Sequence, residues 1–108
     1  MKVSLEYIEF VMDKLAPIGN VTGRAMFGGY GIFNRGLMFA LIAADSLYFK
    51  VNDSNREMYR QAGSSPFPHG ISYWEVPTEV IEDNSKLLEW AGISIDIAIA
   101  AASKKKRK

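Results

Sequence analysis

The first part of the chain repeats its apolar residues at the interval of a helix. Spacings of three and four positions are typical of a helix with one buried face, and they are shown by Leu5, Ile8, Val11, Met12 and Leu15. Ser4 is a favourable N-cap residue, and Pro17 disfavours helical geometry in the residue before it. The pattern therefore predicts a first helix that is capped by Ser4 and ends near Ala16.

From Val21 to Val51 the pattern becomes that of strands, predicted over residues 21–26, 30–34, 37–43 and 46–51. The connections are short, at Gly28-Gly29, Asn34-Arg35-Gly36 and Ala44-Asp45, which indicates an antiparallel meander. The strand over 37–43 is apolar on both faces. Its second face needs cover from a helix or from a second copy of the chain. That face consists either of Met38, Ala40 and Ile42 or of Leu37, Phe39 and Leu41.

The remainder of the chain predicts a second helix, a last strand and a last helix. Asn52, Asp53 or Ser54 can cap the second helix, which Gly63 ends after Ala62. The Pro- and Gly-containing segment 64–70 is a loop, and 71–76 is a strand. Asn84 or Ser85 can cap the last helix. Four isoleucines at alternate positions from 93 to 99 are typical of a strand, but the neighbouring alanines favour a helix, and we predict a helix.

The predicted order is α-β-β-β-β-α-β-α. It favours a two-layer α+β fold, in which helices pack on one face of an antiparallel sheet made of a four-stranded meander plus one strand. At 108 residues the chain fits one domain. We assign residues 1–103 to this domain and residues 104–108 to a basic, disordered tail.

The charge is distributed unevenly along the chain. Five of the thirteen basic residues stand together at its end, as Lys104, Lys105, Lys106, Arg107 and Lys108. The other eight face twelve acidic residues, so the domain itself carries about −4 and would repel a phosphate backbone. The terminal run is either a solvated end or a weak nucleic-acid-binding segment.

The residues that catalysis or metal binding requires do not come together in the sequence. Cysteine is absent and His69 is the single histidine, whereas a zinc site needs three or four ligands. Ser64 and Ser65 lie near His69 without a nucleophile-elbow motif. The acidic residues Glu79, Glu82 and Asp83 fit the start of a helix better than a shared cation or proton. We predict a non-enzymatic protein with no cofactor and no metal.

Glycines and tyrosines offer two further alternatives. The segment 27–31 is rich in glycine but lacks the G-K-[ST] of a P-loop, so we interpret it as a turn or bulge. Tyr30, Tyr48 and Tyr73 could stack on nucleic-acid bases, yet the acidic domain favours packing or interface roles. No apolar run is long enough to span a bilayer, and we expect a cytoplasmic protein.

Several motifs together resemble the TfoX (Sxy) N-terminal domain family. The first is the block Arg24-Ala25-Met26-Phe27-Gly28-Gly29-Tyr30-Gly31-Ile32-Phe33, and the second is Ser72-Tyr73-Trp74-Glu75-Val76-Pro77. Segments 36–42, 47–51 and 88–91 extend the resemblance, which covers about residues 5 to 102. The family residues that we single out, as structural or interface positions, are Arg24, Met26, Phe27, Gly28, Gly29, Tyr30, Gly31, Tyr73 and Pro77.

The resemblance implies a secretion-chaperone-like α+β domain and a regulatory role in bacteria. TfoX proteins promote expression of DNA-uptake genes together with the cyclic-AMP receptor protein, and the family offers no catalytic residues to carry over. Full-length members have a second, helical domain that this sequence lacks, so we expect a stand-alone N-terminal domain. The expected partner is a protein, with the transcription machinery as the candidate, and the expected assembly is a homodimer.

Overall fold

The computed structural model describes residues 3–26, 28–68 and 72–107, with the backbone only for 105–107. The helices are α1 (Leu5–Leu15), α2 (Arg56–Gln61), α3 (Thr78–Ile81) and α4 (Asn84–Arg107). The strands are β1 (Val21–Met26), β2 (Gly29–Asn34), β3 (Leu37–Ala43), β4 (Ser46–Lys50) and β5 (Tyr73–Glu75). The predicted α+β fold and its element order are confirmed, with the one-turn helix α3 and a 3-10 turn at Ala16–Ile18 in addition.

The strands lie in the sheet in the order β1-β2-β3-β4-β5, and each neighbouring pair is antiparallel. Tight turns produce this order. Arg35 and Gly36 both have positive φ between β2 and β3, and so do Ala44 and Asp45 between β3 and β4. Turns of this kind match the twist of the strands that they join. The predicted meander is therefore confirmed.

A β-bulge in β3 divides its side chains between the two faces of the sheet. Ile32 pairs with Ala40 while Phe33 pairs with Met38, so Phe39 is the additional residue. Phe39 and Ala40 are consequently both buried in the core, although they are adjacent in sequence. Neither alternating set that the sequence offered for β3 is right, because the bulge interrupts the alternation.

The core lies between the sheet and the helices. From the sheet it contains Phe39, Ala40, Ile42, Leu47 and Phe49; from the helices it contains Val11, Leu15, Tyr59, Val80, Leu87, Ala91, Ile95 and Ala98. The four alternating isoleucines are part of α4, where Ile95 and Ile97 are buried and Ile99 is 45% exposed. The helical interpretation of this segment is therefore confirmed.

The backbone carbonyl of Lys50, the last residue of β4, connects the sheet to two other segments. The buried hydroxyl of Ser94 in α4 donates to this carbonyl at 2.7 Å, and the side-chain amide of Asn55 donates to it at 3.3 Å. Asn55 is the N-cap residue of α2 and is itself buried. Folding removes this carbonyl oxygen from water, and the two hydrogen bonds supply the donors that water would have provided.

Helix α4 continues through most of the segment that the sequence assigned to a disordered tail. The backbone of residues 104–107 is helical as far as Arg107, the last described residue. Lysine and arginine are good helix formers, and their charge is favourable at the negative end of the helix dipole. The division of the chain at residue 103 stays a prediction.

Candidate functional site

The face of the sheet opposite the core is the candidate functional surface. We call it the open face. Cross-strand pairing assigns to it Thr22, Arg24, Met26, Gly31, Phe33, Met38, Leu41, Tyr48, Lys50, Tyr73 and Glu75. Most of these side chains are apolar or aromatic. Leu41 and Tyr73 are buried, whereas Met26, Phe33, Met38 and Tyr48 keep part of their surface exposed.

One row of directly paired residues crosses the whole open face. Arg24 pairs with Gly31, and Gly31 pairs with Leu41. Leu41 pairs with Tyr48, and Tyr48 pairs with Glu75. The row thus begins with an exposed cation on edge strand β1 and ends with an exposed anion on β5, which residues 65–67 flank on its other side through backbone hydrogen bonds.

The family block around Gly31 builds the β1–β2 half of the open face. The guanidinium of Arg24 lies 4.9 Å from the centre of the Phe33 ring, a favourable cation–π contact. A methyl group on Gly31 would come within 2.5 Å of the Met26 sulfur and 3.4 Å of the Met38 sulfur. Gly31 therefore lets two flexible methionine side chains and Phe33 close over the strand, forming an apolar surface that adapts to a partner.

The other two glycines of the block shape the β1–β2 turn. Gly28 has φ of +76°, where only glycine is unstrained. Gly29 pairs with Met26 at the start of β2, and a methyl group there would lie 2.6 Å from the backbone oxygen of Ile42. The interpretation of the glycines as structural agrees with this geometry. Phe27, the remaining residue of the turn, lies outside the described residues.

The structure separates the three tyrosines that were weighed as a stacking platform. Tyr30 points to the helix side, where its ring lies over Gly23 and packs against the core. Tyr48 and Tyr73 share the open face. Tyr73 is fixed by a hydrogen bond to the Met38 carbonyl, and Tyr48 packs edge-on against Phe67 at 4.9 Å. The rings of Tyr48 and Tyr73 thus contribute to packing on this face.

Electrostatics on the open face favour neutral tyrosines. Burial raises the pKa of Tyr73 to about 12. Partial burial, and after it the charge of Glu75, raises the pKa of Tyr48, while a hydrogen bond with Ser46 acts in the opposite direction. The Lys50 ammonium lies 5.3 Å from the centre of the Tyr73 ring. Both tyrosines remain protonated donors at neutral pH.

Pro77 and the described basic residues at the end of the chain do not belong to the open face. Pro77 is buried after β5, where its carbonyl accepts from Val80 and Ile81 at the start of α3. Lys104 is exposed near the end of α4. Of the other tail positions, Lys105, Lys106 and Arg107 are described by their backbone only, and Lys108, like His69, lies outside the described residues.

Within residues 3–26, 28–68 and 72–107, no three His, Cys, Asp or Glu side chains are placed to hold a metal ion. A shallow, open groove lies at the β1 edge, lined by Thr22, Gly23, Arg24, Phe33 and Gly36. Its side chains include no nucleophile paired with a base.

In the same described ranges no helix has the length and apolar character to cross a membrane.

Sequence reasoning missed several residues of the open face. Phe33 and Glu75 were not singled out as contact residues, and Met38 was named only in one of the two alternatives for the second face of strand 37–43. Glu75 alternates with Trp74, so the two lie on opposite faces of β5. The position of Met38 depends on the bulge at Phe39, for which the sequence gives no signal.

Comparison with known proteins identifies the chain at the level of its family. No curated protein matches it. The sequence matches the TfoX N-terminal domain family over residues 13–98, a range that contains all the strands described above and most of α4. The chain therefore belongs to the TfoX N-terminal domain family.

Proposed function

We propose that this protein is a non-enzymatic regulator that acts by binding other proteins, and that it serves transcription in the bacterial cytoplasm. The observation that carries the proposal is the open face. Its partly exposed methionines and aromatic rings, bordered by charges, form a surface of the kind that is enriched in protein interfaces. Membership of the family supports a link to competence genes.

The chemistry of the site supports binding over catalysis. Arg24 and Glu75 lie at the two ends of the row, Lys50 lies against the Tyr73 ring, and the row between its charged ends is Gly31, Leu41 and Tyr48. The Tyr73 hydroxyl is engaged with a backbone carbonyl, and the buried Ser94 hydroxyl with another. A reaction would need a nucleophile and a base in one cleft, and the described side chains of the face offer an apolar surface in its place.

The proposal is tested by direct binding to transcription proteins. RNA polymerase holoenzyme and the cyclic-AMP receptor protein, purified from the same organism, are immobilised, and the full chain is applied over a concentration series. We expect saturable binding to one of them. Deletion of the gene should alter transcript levels, and the intact gene should restore them. Absence of binding to both proteins together with unchanged transcripts would overturn the proposal.

The basic end of α4 supports a second candidate, weak binding of nucleic acid. The helix continues to Arg107, so the basic residues 104–107 follow one another along its last turn, where Lys104 is exposed. This end carries five positive charges beside a domain of about −4. Binding of this kind is electrostatic and insensitive to base sequence.

A further inference from the structure

We propose that the open face binds the open face of a second copy of this chain, in a two-fold dimer in which Arg24 of each copy pairs with Glu75 of the other. The inference rests on the proposed function, because it names a second copy of the chain as a protein partner of the open face. It is an assignment of geometry, and its test does not depend on any transcription protein.

The charges at the two ends of the row cannot pair within one copy. Arg24 and Glu75 are separated by four strand spacings, roughly 19 Å at about 4.8 Å each. The described ion pairs lie elsewhere, between Arg56 and Asp53 and between Arg60 and Glu57, both on α2 or the turn before it. Both ends of the row are exposed. The row therefore has a cation at one end and an anion at the other, while a second cation of the open face, Lys50, lies off the row against the Tyr73 ring.

A two-fold axis parallel to β3 makes this row complementary to itself. Rotation about that axis brings two open faces together and reverses the row, so the β1 edge of one copy lies against the β5 edge of the other. Arg24 of each copy then faces Glu75 of the other, and Leu41, the middle residue of the row, lies nearest to the axis. Packed sheets are about 10 Å apart, a gap that an arginine and a glutamate side chain span together.

The charges also exclude the other face-to-face arrangement. An axis parallel to the row keeps the row order, so it brings the two Arg24 side chains together and the two Glu75 side chains together. Like charges placed opposite each other oppose assembly. The order of charges along the row therefore selects one of two possible dimers.

The size of the face predicts a weak, reversible dimer. A sheet about 24 Å wide and about 17 Å long offers on the order of 400 Å² per copy. The total of about 800 Å² is below the range of standard stable interfaces. We expect a dissociation constant in the micromolar range, with Met26 and Met38 adapting to the partner's surface.

Charge exchange tests the pairing. Sedimentation velocity over a concentration series gives the dissociation constant of the full chain and of Arg24→Glu, Glu75→Arg and the double variant. We expect each single variant to raise the dissociation constant at least tenfold and the double variant to restore it. An equimolar mixture of the two single variants should form a heterodimer tighter than either homodimer, because both contacts are then between opposite charges.

Matched controls separate the pairing from general charge effects. Lys86→Glu and Glu89→Arg make the same charge changes at exposed positions of α4, away from the open face, and should leave the dissociation constant unchanged. Circular dichroism establishes that each variant is folded. If a reversal unfolds the chain, Arg24→Gln and Glu75→Gln replace it, and each should weaken the dimer severalfold.

Three results would overturn the inference: a wild-type chain that stays monomeric at millimolar concentration, single variants that behave like the α4 controls, or a double variant that does not recover. If the chain is monomeric and Arg24→Glu impairs binding to a transcription protein, a different protein occupies the face and the proposed function survives. If the dimer forms as described and no transcription protein binds, the proposed function fails and the dimer remains.

Discussion

The hydroxyl of Tyr73 donates a hydrogen bond of 3.3 Å to the carbonyl oxygen of Met38, 35 residues earlier in the chain. The bond passes from β5 over β4 to β3, next to the bulge at Phe39. The ladder between β3 and β4 begins at Ala40, so the Met38 carbonyl lies beyond it. The bond thereby connects the short strand β5 to the centre of the sheet. It also supplies a hydrogen-bond donor to the Met38 carbonyl beside the bulge.

Removal of this donor should lower stability. In Tyr73→Phe the ring stays in place while the partly buried carbonyl loses its partner, and such losses typically cost about 1 kcal/mol. We expect the free energy of unfolding, measured by urea titration at pH 7, to fall by roughly that amount. An unchanged value would mean that water replaces the hydroxyl.

Tyr59→Phe also removes one tyrosine hydroxyl, but it should raise the free energy of unfolding instead of lowering it. Tyr59 is fully buried between Trp74 and Trp90, and its hydroxyl makes no hydrogen bond in the described part of the chain. The neighbouring Ser94 hydroxyl donates to the Lys50 carbonyl, and its oxygen lies near enough to Tyr59 to oppose the burial that raises the Tyr59 pKa. Removing a buried hydroxyl without a partner should raise the free energy of unfolding by about 1 kcal/mol. A loss of stability would show that the hydroxyl is satisfied in solution.

Alkaline pH should destabilise the fold through these buried tyrosines. Burial raises the pKa of Tyr73 to about 12 from the ordinary 10.0, and burial also raises the pKa of Tyr59. Between pH 10 and 12 the unfolded chain releases protons that the folded chain retains, so stability is complete below pH 10 and falls as pH rises. The slope is at most about 1.4 kcal/mol per pH unit for each tyrosine. Tyr73→Phe should flatten this decline when unfolding is followed from pH 9 to 12.

Two glycine replacements should change stability in opposite directions. Gly29→Ala places a methyl group 2.6 Å from the backbone oxygen of Ile42, which cannot move without distorting β3. We expect a loss of roughly 2 kcal/mol or more. Gly92 lies within α4 with no atom near the added methyl group, so Gly92→Ala should gain roughly 0.5–1 kcal/mol. Thermal unfolding measures the stability of both variants. Equal effects would contradict the conclusion that an added methyl group clashes at Gly29 and has room at Gly92.

Nucleic-acid binding, if it occurs, should depend on the end of α4. A chain that ends at Ser103 loses all five terminal basic residues. We expect the full chain to bind single- or double-stranded DNA weakly at low salt, with affinity falling steeply as salt rises, and the shortened chain to lose this binding. Fluorescence anisotropy at several salt concentrations measures both. Binding that survives the truncation would assign nucleic acid to the domain itself.

The sequence predicted the sheet well because its signals are local. In the turns at Arg35-Gly36 and Ala44-Asp45, Gly36 and Asp45 are residue types that accept positive φ. At the predicted cap, the Ser4 hydroxyl accepts a hydrogen bond from the Tyr7 amide. The side chains of β3 were misassigned because a bulge depends on the partner strand. The length of α4 was not predicted, since a charge run carries no periodic signal for where a helix ends.

The candidate surface was predicted in outline only. Because the strand over 37–43 has apolar residues on both faces, the sequence indicated that the sheet has a second apolar face. Which residues form that face depends on the register of four strand pairs, and the opposition of Arg24 and Glu75 becomes visible only when those registers are combined. Residues 51 positions apart share no local pattern.

The order of the strands in the sheet also has a kinetic consequence. Because β1 to β4 pair with their neighbours in sequence, each hairpin closes a loop of only a few residues, and the entropy lost on closure is small. The connection from β4 to β5 is the longer closure within the sheet. Domains dominated by such local pairings fold quickly, so we infer that the meander assembles early and that β5 joins it late.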